Sequence, residues 1–427
     1  MIKLTNSKKL LKKAKKLIPG LSQTFSKAPY SYVEGLYPTY LTKGKGSHVF
    51  DVDNNEYIDY VLSLGPIILG YNYSKINSRI KQQLKNGISF SIPHVLELEV
   101  SQKLNSIIPN ADMVRFAKTG SDACTAAVRC ARAITKREKI AYCGTGGVWH
   151  DWFTSITSRN EGIPKYEKSL IRKFNFNEIE SLKIITEEWK DELATIFIEP
   201  ITFEYPKNNF LHDVKKISKK IGAILIFDEV VTGFRYSLGG SQEFLNIEAD
   251  IATFGKGMAN GMPLAAITGK HEYMEKFSDI FYSTTYGGET LSLAACSAVI
   301  DELLEKPVIP HILNYSKYFY NEFNNLAKEN GVSIKMEGTD VRSVINYRDG
   351  NGKISFILKS LFYQETIKKG ILFGPGAVLL SYSHSKKDID KTLEICGNAM
   401  KKMKKIEKIK NPEKFLNGNP IKPVMTF

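Results

Sequence analysis

The feature that most constrains the fold is a recurrence of short apolar and β-branched runs, separated by helical patterns, between about residues 70 and 300. The runs are MVRFA (113–117), KIAYC (139–143), TIFIEP (195–200), AILIFDE (223–229) and IATFGK (251–256). Runs that are apolar at successive positions suit strands covered on both faces, and the segments between them are long enough to be crossover helices. The alternation predicts an α/β chain with a mostly parallel central sheet and helices on both faces.

The flanking segments follow other periods. Residues 5–18 read as an amphipathic helix with Leu10, Leu11, Ala14 and Leu17 on one side, ended by Pro19-Gly20. SHVFDVDNNEYIDYV (47–61) alternates around Asp53-Asn54-Asn55 and predicts a β-hairpin. After about residue 308 come a long helix (309–330), short strands near 333–346 and 371–383, and a closing helix from Lys386. We therefore divide the chain into an N-terminal helix and hairpin segment (1–65), a large α/β domain (66–307) and a smaller C-terminal domain (308–427) that the N-terminal segment joins. No low-complexity linker separates them, so they are expected to be packed together. The final NPEKFLNGNPIKPVMTF (411–427) is expected to be extended or loosely ordered.

Composition narrows the classes. Hydrophobic residues at 43% and charged residues at 24% are globular values, and no block of 18 apolar residues calls for a membrane span. The first twenty residues mix lysines with apolar positions and do not read as a secretory signal, so a cytoplasmic location is expected. Cys124, Cys130, Cys143, Cys296 and Cys396 form no CxxC pair and have no His at metal-ligand spacing, which predicts reduced structural thiols and no metal site. The net charge of +14 raises the question of nucleic acid, but the main lysine runs, at 8–16 and 401–410, have helical spacing and read as solvated helix faces.

The chemistry gathers where strands end. Asp228-Glu229 closes the apolar run AILIF, and Lys256 lies between Gly255 and Gly257 in TFGKGMANGMPL (253–264). A carboxylate at a buried strand end needs a partner, and a protonated pyridine nitrogen is one. A Lys between glycines can form a Schiff base with an aldehyde, so the pair points to pyridoxal 5'-phosphate. The plainer alternatives are an Asp228 paired with a nearby cation or capping the next turn, and a surface Lys256 in a glycine turn. In VRFAKTGSDACTAAVRCARA (114–133) a strand turns into a helix at Gly120, Ser121 and Asp122, an arrangement suited to a phosphate, or equally to an ordinary capped helix. Glu199, ending TIFIEP, is a candidate to anchor loops or a phenolic oxygen network.

These residues resemble those of the fold-type I, class III aminotransferases, most closely the glutamate-1-semialdehyde aminomutase-like branch. The matching strings, in order, include KGKGSHVFDVDNNEYIDYV (43–61), GPIILGY (65–71), KTGSDACTAAVRCARA (118–133), LIFDEVVTGFRYSLGGSQEF (225–244), ADIATFGKGMANGMPLAAITG (249–269) and TTYGGETLSLAA (284–295). The resemblance implies a fold-type I transferase with a small α+β domain formed by both termini, and pyridoxal phosphate as cofactor with pyridoxamine 5'-phosphate as its intermediate form. It implies Lys256 as the Schiff-base lysine, Asp228 on the pyridine nitrogen, Val230 on one ring face, and Gly120 and Ser121 on the phosphate. Thr285 would reach the cofactor of a second copy, implying a homodimer with shared active sites. The opposite ring face takes an aromatic from a YHG string in the branch; here GTGGVWHDWF (144–153) offers Trp149.

Two departures bear on substrate. The aminomutase clamps a carboxylate with an Arg near its N-terminus, where PGLSQTFSKAP (19–29) offers Lys27 with Thr24 and Ser26, and Lys is not an equivalent bidentate binder. Its gating Glu has no counterpart in FGPGAVLLSYSHS (373–385), which contains no acid. The expected activity is amino transfer to or from a small aldehyde or ketone, sugar-like or phosphorylated by association with surface-polysaccharide enzymes. The alternatives are glutamate-1-semialdehyde 2,1-aminomutase of tetrapyrrole synthesis, amino-acid racemisation, and a non-catalytic basic binding protein on the same fold.

Overall fold

The computed structural model describes residues 2–423. The chain divides into two compact units: Ser74–Ile309, and a second made of the residues up to Tyr73 together with those from Pro310 onward. The sequence-read limits at 65/66 and 307/308 lie a few residues earlier than these. GPIILGY stays with the first part because Leu62 and Ile67 pack with Leu379, and Tyr71 exchanges backbone hydrogen bonds with Gly46.

The chain opens with α1 (Thr5–Ala14), then β1 (Leu41–Lys45), β2 (His48–Asp51) and β3 (Glu56–Asp59) in an antiparallel meander. The hairpin turn forms as expected, with Asn54 at φ 65° and the Asp51 carboxylate accepting the amides of Asp53 and Asn55. α1 is shorter than its pattern predicts. Ala14 is buried and Leu10 and Leu11 are partly so, but the chain turns after Ala14 and leaves Leu17 78% exposed.

The unit Ser74–Ile309 contains α2 (Ser74–Leu84), α3 (Val95–Ile107), β4 (Met113–Ala117), α4 (Gly120–Thr135), β5 (Lys139–Cys143), β6 (Ile171–Lys173), β7 (Leu193–Ile198), β8 (Ile224–Glu229), β9 (Ile251–Phe254) and β10 (Ala265–Gly269). These strands form one seven-stranded sheet in the order β4-β10-β9-β8-β7-β5-β6. Neighbours from β9 to β6 are parallel, and β10 alone runs against both β9 and β4. β7, β8 and β10 are buried at every residue, the signature of a sheet covered on both faces. β6 and β10 had no clear signal: β6 has three residues, and AAITG carries little β-branched bulk.

The second unit resumes within the helix Val308–Glu329, followed by the antiparallel pair β11 (Ile334–Gly338) and β12 (Ser343–Tyr347). The helix Phe356–Ile367 went unread because it is buried on most sides and shows no apolar stripe. The strand expected over 371–383 reduces to β13 (Ile371–Leu372), which adds in parallel to β3 and so ties the C-terminal half to the N-terminal hairpin. The closing helix Lys386–Ile406 starts at a capping box of Ser385 and Asp388. One apolar core joins residues from both chain ends, including Tyr57, Tyr60, Phe323, Phe362, Met400 and Ile421. The described part of the tail holds a short helical turn, Pro412–Phe415, and is fixed rather than loose: the amides of Asn417 and Ile421 donate to Gln364 and Ser360 of the helix Phe356–Ile367. Residues 424–427 lie outside the described residues. Among the described residues all five cysteines are free and buried, and no helix is long and apolar enough to cross a membrane.

Candidate functional site

Parallel strands of an open α/β sheet present their carboxyl ends on one edge, where ligands of such folds bind. In Ser74–Ile309 that edge collects Asp228, Glu199, Gly120, Ser121 and Lys256. Asp228 pairs in register with Thr253, three residues before Lys256. It is buried, and its Oδ1 accepts the Val230 amide at 3.0 Å. The adjoining Glu229 is a structural acid. It is fully buried and accepts from the Thr232 hydroxyl (2.7 Å) and the amides of Ser241 (2.7 Å) and Gln242 (3.0 Å), which fixes the following turn. Burial raises its pKa, and those hydrogen bonds oppose the rise.

Lys256 is half-buried and opens a single helical turn, Lys256–Ala259, with φ at 43°. A left-handed non-glycine residue is uncommon and is held there by its surroundings, a pattern frequent at functional sites. Asp228 and Lys256 bear on the same buried thiol. Burial raises the pKa of Cys124, Asp228 adds to the rise, and Lys256 opposes it. The Cys124 sulfur lies 3.5 Å from the Thr253 hydroxyl.

At the head of α4 the Thr119 hydroxyl accepts the Asp122 amide (3.2 Å), and the Asp122 carboxylate accepts the Thr119 amide (3.0 Å) and hydroxyl (2.8 Å). Asp122, expected among the phosphate ligands, thus has both its amide and its carboxylate engaged in the cap. Gly120 and Ser121 hold the half-buried first turn, where the helix dipole favours an anion. A Cβ built on Gly120 would fall 2.6 Å from Val230 Cγ1, and one on Gly255 would fall 3.4 Å from the same atom. Gly120 therefore lets Val230 settle against the turn, whereas the distance at Gly255 is an ordinary contact.

Glu199, also buried, accepts the Thr145 amide (2.9 Å) and hydroxyl (2.8 Å) and so anchors the loop after β5. In that loop Gly146, not Trp149, lies beside Asp228: a Cβ on Gly146 would stand 3.5 Å from Asp228 Oδ2. Trp149 is 68% exposed, its ring packs edge-on against His150, and its amide donates to the Ser121 hydroxyl at 3.3 Å. His150 bonds Thr125 and lies 3.6 Å from Asp122, and burial lowers its pKa. Sequence reading missed Gly146, Thr145 and His150, because a polar loop gives no periodic signal of what it touches. Thr285 occupies an exposed turn (285–288) ahead of Glu289, which caps the helix Thr290–Glu305 and pairs with Lys118 at 3.0 Å.

The expected substrate residues Thr24, Ser26 and Lys27 belong to the other unit and share one short turn. Lys27 donates to the Ser63 hydroxyl at 2.9 Å; partial desolvation lowers its pKa, opposed by the charge of Asp59. Asp59 is buried and accepts from Tyr71 (2.6 Å) and the Val61 amide (2.7 Å). Ser63 stands in a strained run, with Leu62, Ser63 and Leu64 at φ 49°, 57° and 73°. Asp59, Ser63 and Tyr71 were not among the residues singled out in sequence.

The strand-end cluster suits pyridoxal phosphate. It offers a buried carboxylate for a cationic ring nitrogen, a lysine within one loop of it, a helix head at Gly120 and Ser121 for a dianion, and a Val230 face cleared by Gly120. The description Aminotransferase class-III matches residues 30–395. A 3-aminobutyryl-CoA aminotransferase of Cloacimonas acidaminovorans is 34% identical over 414 residues, covering 95% of this chain and 99% of its own. A glutamate-1-semialdehyde 2,1-aminomutase of Acetivibrio thermocellus is 33% identical over 420 residues, covering 92% and 96%. Among solved structures, the fold is shared with the FumI protein of Sphingopyxis (TM-score 0.88, 24% identity, 98% of this chain and 99% of that one). It is shared also with a Pseudomonas aeruginosa glutamate-1-semialdehyde aminomutase (TM-score 0.83, 15% identity, 94% and 95%). The chain belongs to the class III aminotransferases, a family of pyridoxal phosphate-dependent enzymes.

Proposed function

We propose that this enzyme moves an amino group between a small-molecule donor and a separate carbonyl acceptor. The observation that carries transfer over internal isomerisation is Lys27, a point charge leaning on Ser63 where the aminomutase resemblance calls for an arginine fork. The acid-free segment 373–385 supports the same reading. Bound pyridoxal phosphate supplies an aldehyde that condenses with amines and a ring that draws electrons from the neighbouring carbon. Lys256 Nζ would hold the cofactor and would carry the proton at the substrate carbon as general base and then acid. Asp228 keeps the ring nitrogen protonated, Gly120 and Ser121 receive the phosphate, Val230 covers one ring face, and Glu199 fixes the loop that borders Asp228. The acceptor is a small aldehyde or ketone, free or carried as a coenzyme A thioester of the kind the Cloacimonas relative's name describes.

A second copy of the chain completes the site in this reading. Ile88, Phe90, Ile92, Val95 and Leu98 are exposed together, and this stretch adjoins the turn that bears Thr285: Thr290 donates to the Ile88 carbonyl at 3.0 Å, and a Cβ on Gly288 would meet Glu97. Such an apolar face needs covering, and a dimer there would bring Thr285 to the partner's cofactor phosphate.

The test is a visible spectrum of the purified enzyme, followed through additions of simple amine donors and then glutamate-1-semialdehyde. Bleaching of the cofactor band near about 420 nm by a simple donor is the expected result. A response to the semialdehyde alone would replace the proposal with the aminomutase, the second reading, which the Acetivibrio relative favours.

A further inference from the structure

We propose that a cavity in the unit formed by the two chain ends receives the phosphopantetheine arm of a thioester substrate, so that the amine or carbonyl compound arrives on coenzyme A. This rests on the amino-transfer reading and narrows its substrate class. The cavity measures about 560 Å³, and every residue lining it belongs to that one unit. A volume of this size is typical of sites for molecules larger than a short amino acid.

The lining fits that arm in three ways. Leu11, Ile18, Leu21, Tyr40, Val49 and Val61 make its walls mainly apolar, suited to methylene and gem-dimethyl groups. A sugar would leave hydroxyls unpaired against these walls, which disfavours it. Next, Tyr32 and Tyr37 add aromatic faces to the lining, which pack against methylene groups. Finally, Lys8 lines the cavity from α1, a helix that carries Lys8, Lys9, Lys12 and Lys13 and no acid. That field suits the phosphates at the far end of the arm.

Lys27, Asp59 and the strained Ser63 line the same cavity, so the residue expected at the substrate and the apolar walls share one space. A thioester-linked acyl group also explains why a bidentate carboxylate clamp is dispensable, since the thioester carbonyl is uncharged and needs only a donor.

The test is calorimetric titration of the holoenzyme with coenzyme A, which has no reacting amine and therefore reports the cavity and not turnover. Wild type is expected to bind. Leu11→Trp, which fills the cavity, and Lys8→Glu, an exposed change that leaves the core intact, should each weaken binding about tenfold or more. The arm could also come from a carrier protein, and a parallel titration with a phosphopantetheinylated carrier separates the two sources; variant-sensitive binding of either one supports the site. No binding of either at millimolar concentration, or binding that neither variant alters, overturns the proposal. Cofactor bleaching by a short free amine, recorded in the same preparations, keeps the two readings apart: bleaching without coenzyme A binding removes only the cavity assignment, whereas no bleaching by any amine removes amino transfer itself.

Discussion

Lys256 combines a reactive amine with a left-handed backbone at φ 43°. Lys256→Ala should abolish turnover and leave the cofactor bound only non-covalently; near-normal turnover would remove the central assignment. Asp228→Asn keeps the Val230 amide contact and loses the charge, so the rate should fall about 10²-fold or more with an unchanged circular dichroism spectrum. Wild-type rates would mean that another group serves the ring nitrogen. Both residues were legible because a strand-ending acid and a lysine between glycines are local patterns. Gly146, Ser63 and Tyr37 were not, since their interest comes from what the fold sets beside them, and Trp149 drew attention through its aromaticity although its ring faces solvent.

At the level of elements, the head of α4 and the turn after β8 are held by side chains acting on backbone. Thr119→Ala removes the reciprocal cap with Asp122 and should lower stability by about 1 kcal/mol, read from urea unfolding, while loosening cofactor binding at Gly120 and Ser121. Gly240 is a stricter case. Its φ is 78° and a Cβ would lie 2.8 Å from the buried Glu229 carboxylate, so Gly240→Ala should destabilise by about 2–4 kcal/mol. A loss under about 0.5 kcal/mol would show that the turn relaxes freely. β5, β7, β8 and β9 were readable because burial on both faces imposes apolar runs, whereas the helix Phe356–Ile367 was hidden by the same cause: surrounded by core, it has no polar face to mark its period.

For the whole molecule, pH and self-association supply the tests. Burial lowers the pKa of His384 from 6.5 to about 4, so the native state favours its neutral form. The stability this provides is present above about pH 6.5 and is lost as pH falls toward 4, up to roughly 3 kcal/mol at about 1.4 kcal/mol per unit. His48 has the opposite sign. Its hydrogen bond to Asp388 raises its pKa, so its contribution is full below about pH 6.5 and lost as pH rises through the folded value. The melting temperature should therefore drop between pH 6.5 and 4.5, and His384→Asn, whose amide oxygen can still accept the Ser381 amide, should flatten that limb. An unchanged limb would assign the acid loss elsewhere. Ile92→Glu places a charge in the exposed apolar stretch and should yield monomers with little activity by light scattering and assay; an active monomer would refute the shared site. Local pattern alone determined the α/β class and the parallel strands and marked Asp228 and Lys256 as candidates, because strand burial and the residue types a reaction requires are written over a few adjacent positions. Tertiary structure alone decided that β13 adds in parallel to β3, that Gly146 lies beside Asp228, and that a cavity joins Lys27 to Tyr37 and Lys8. These depend on contacts between residues far apart in sequence, and periodicity carries no record of such contacts.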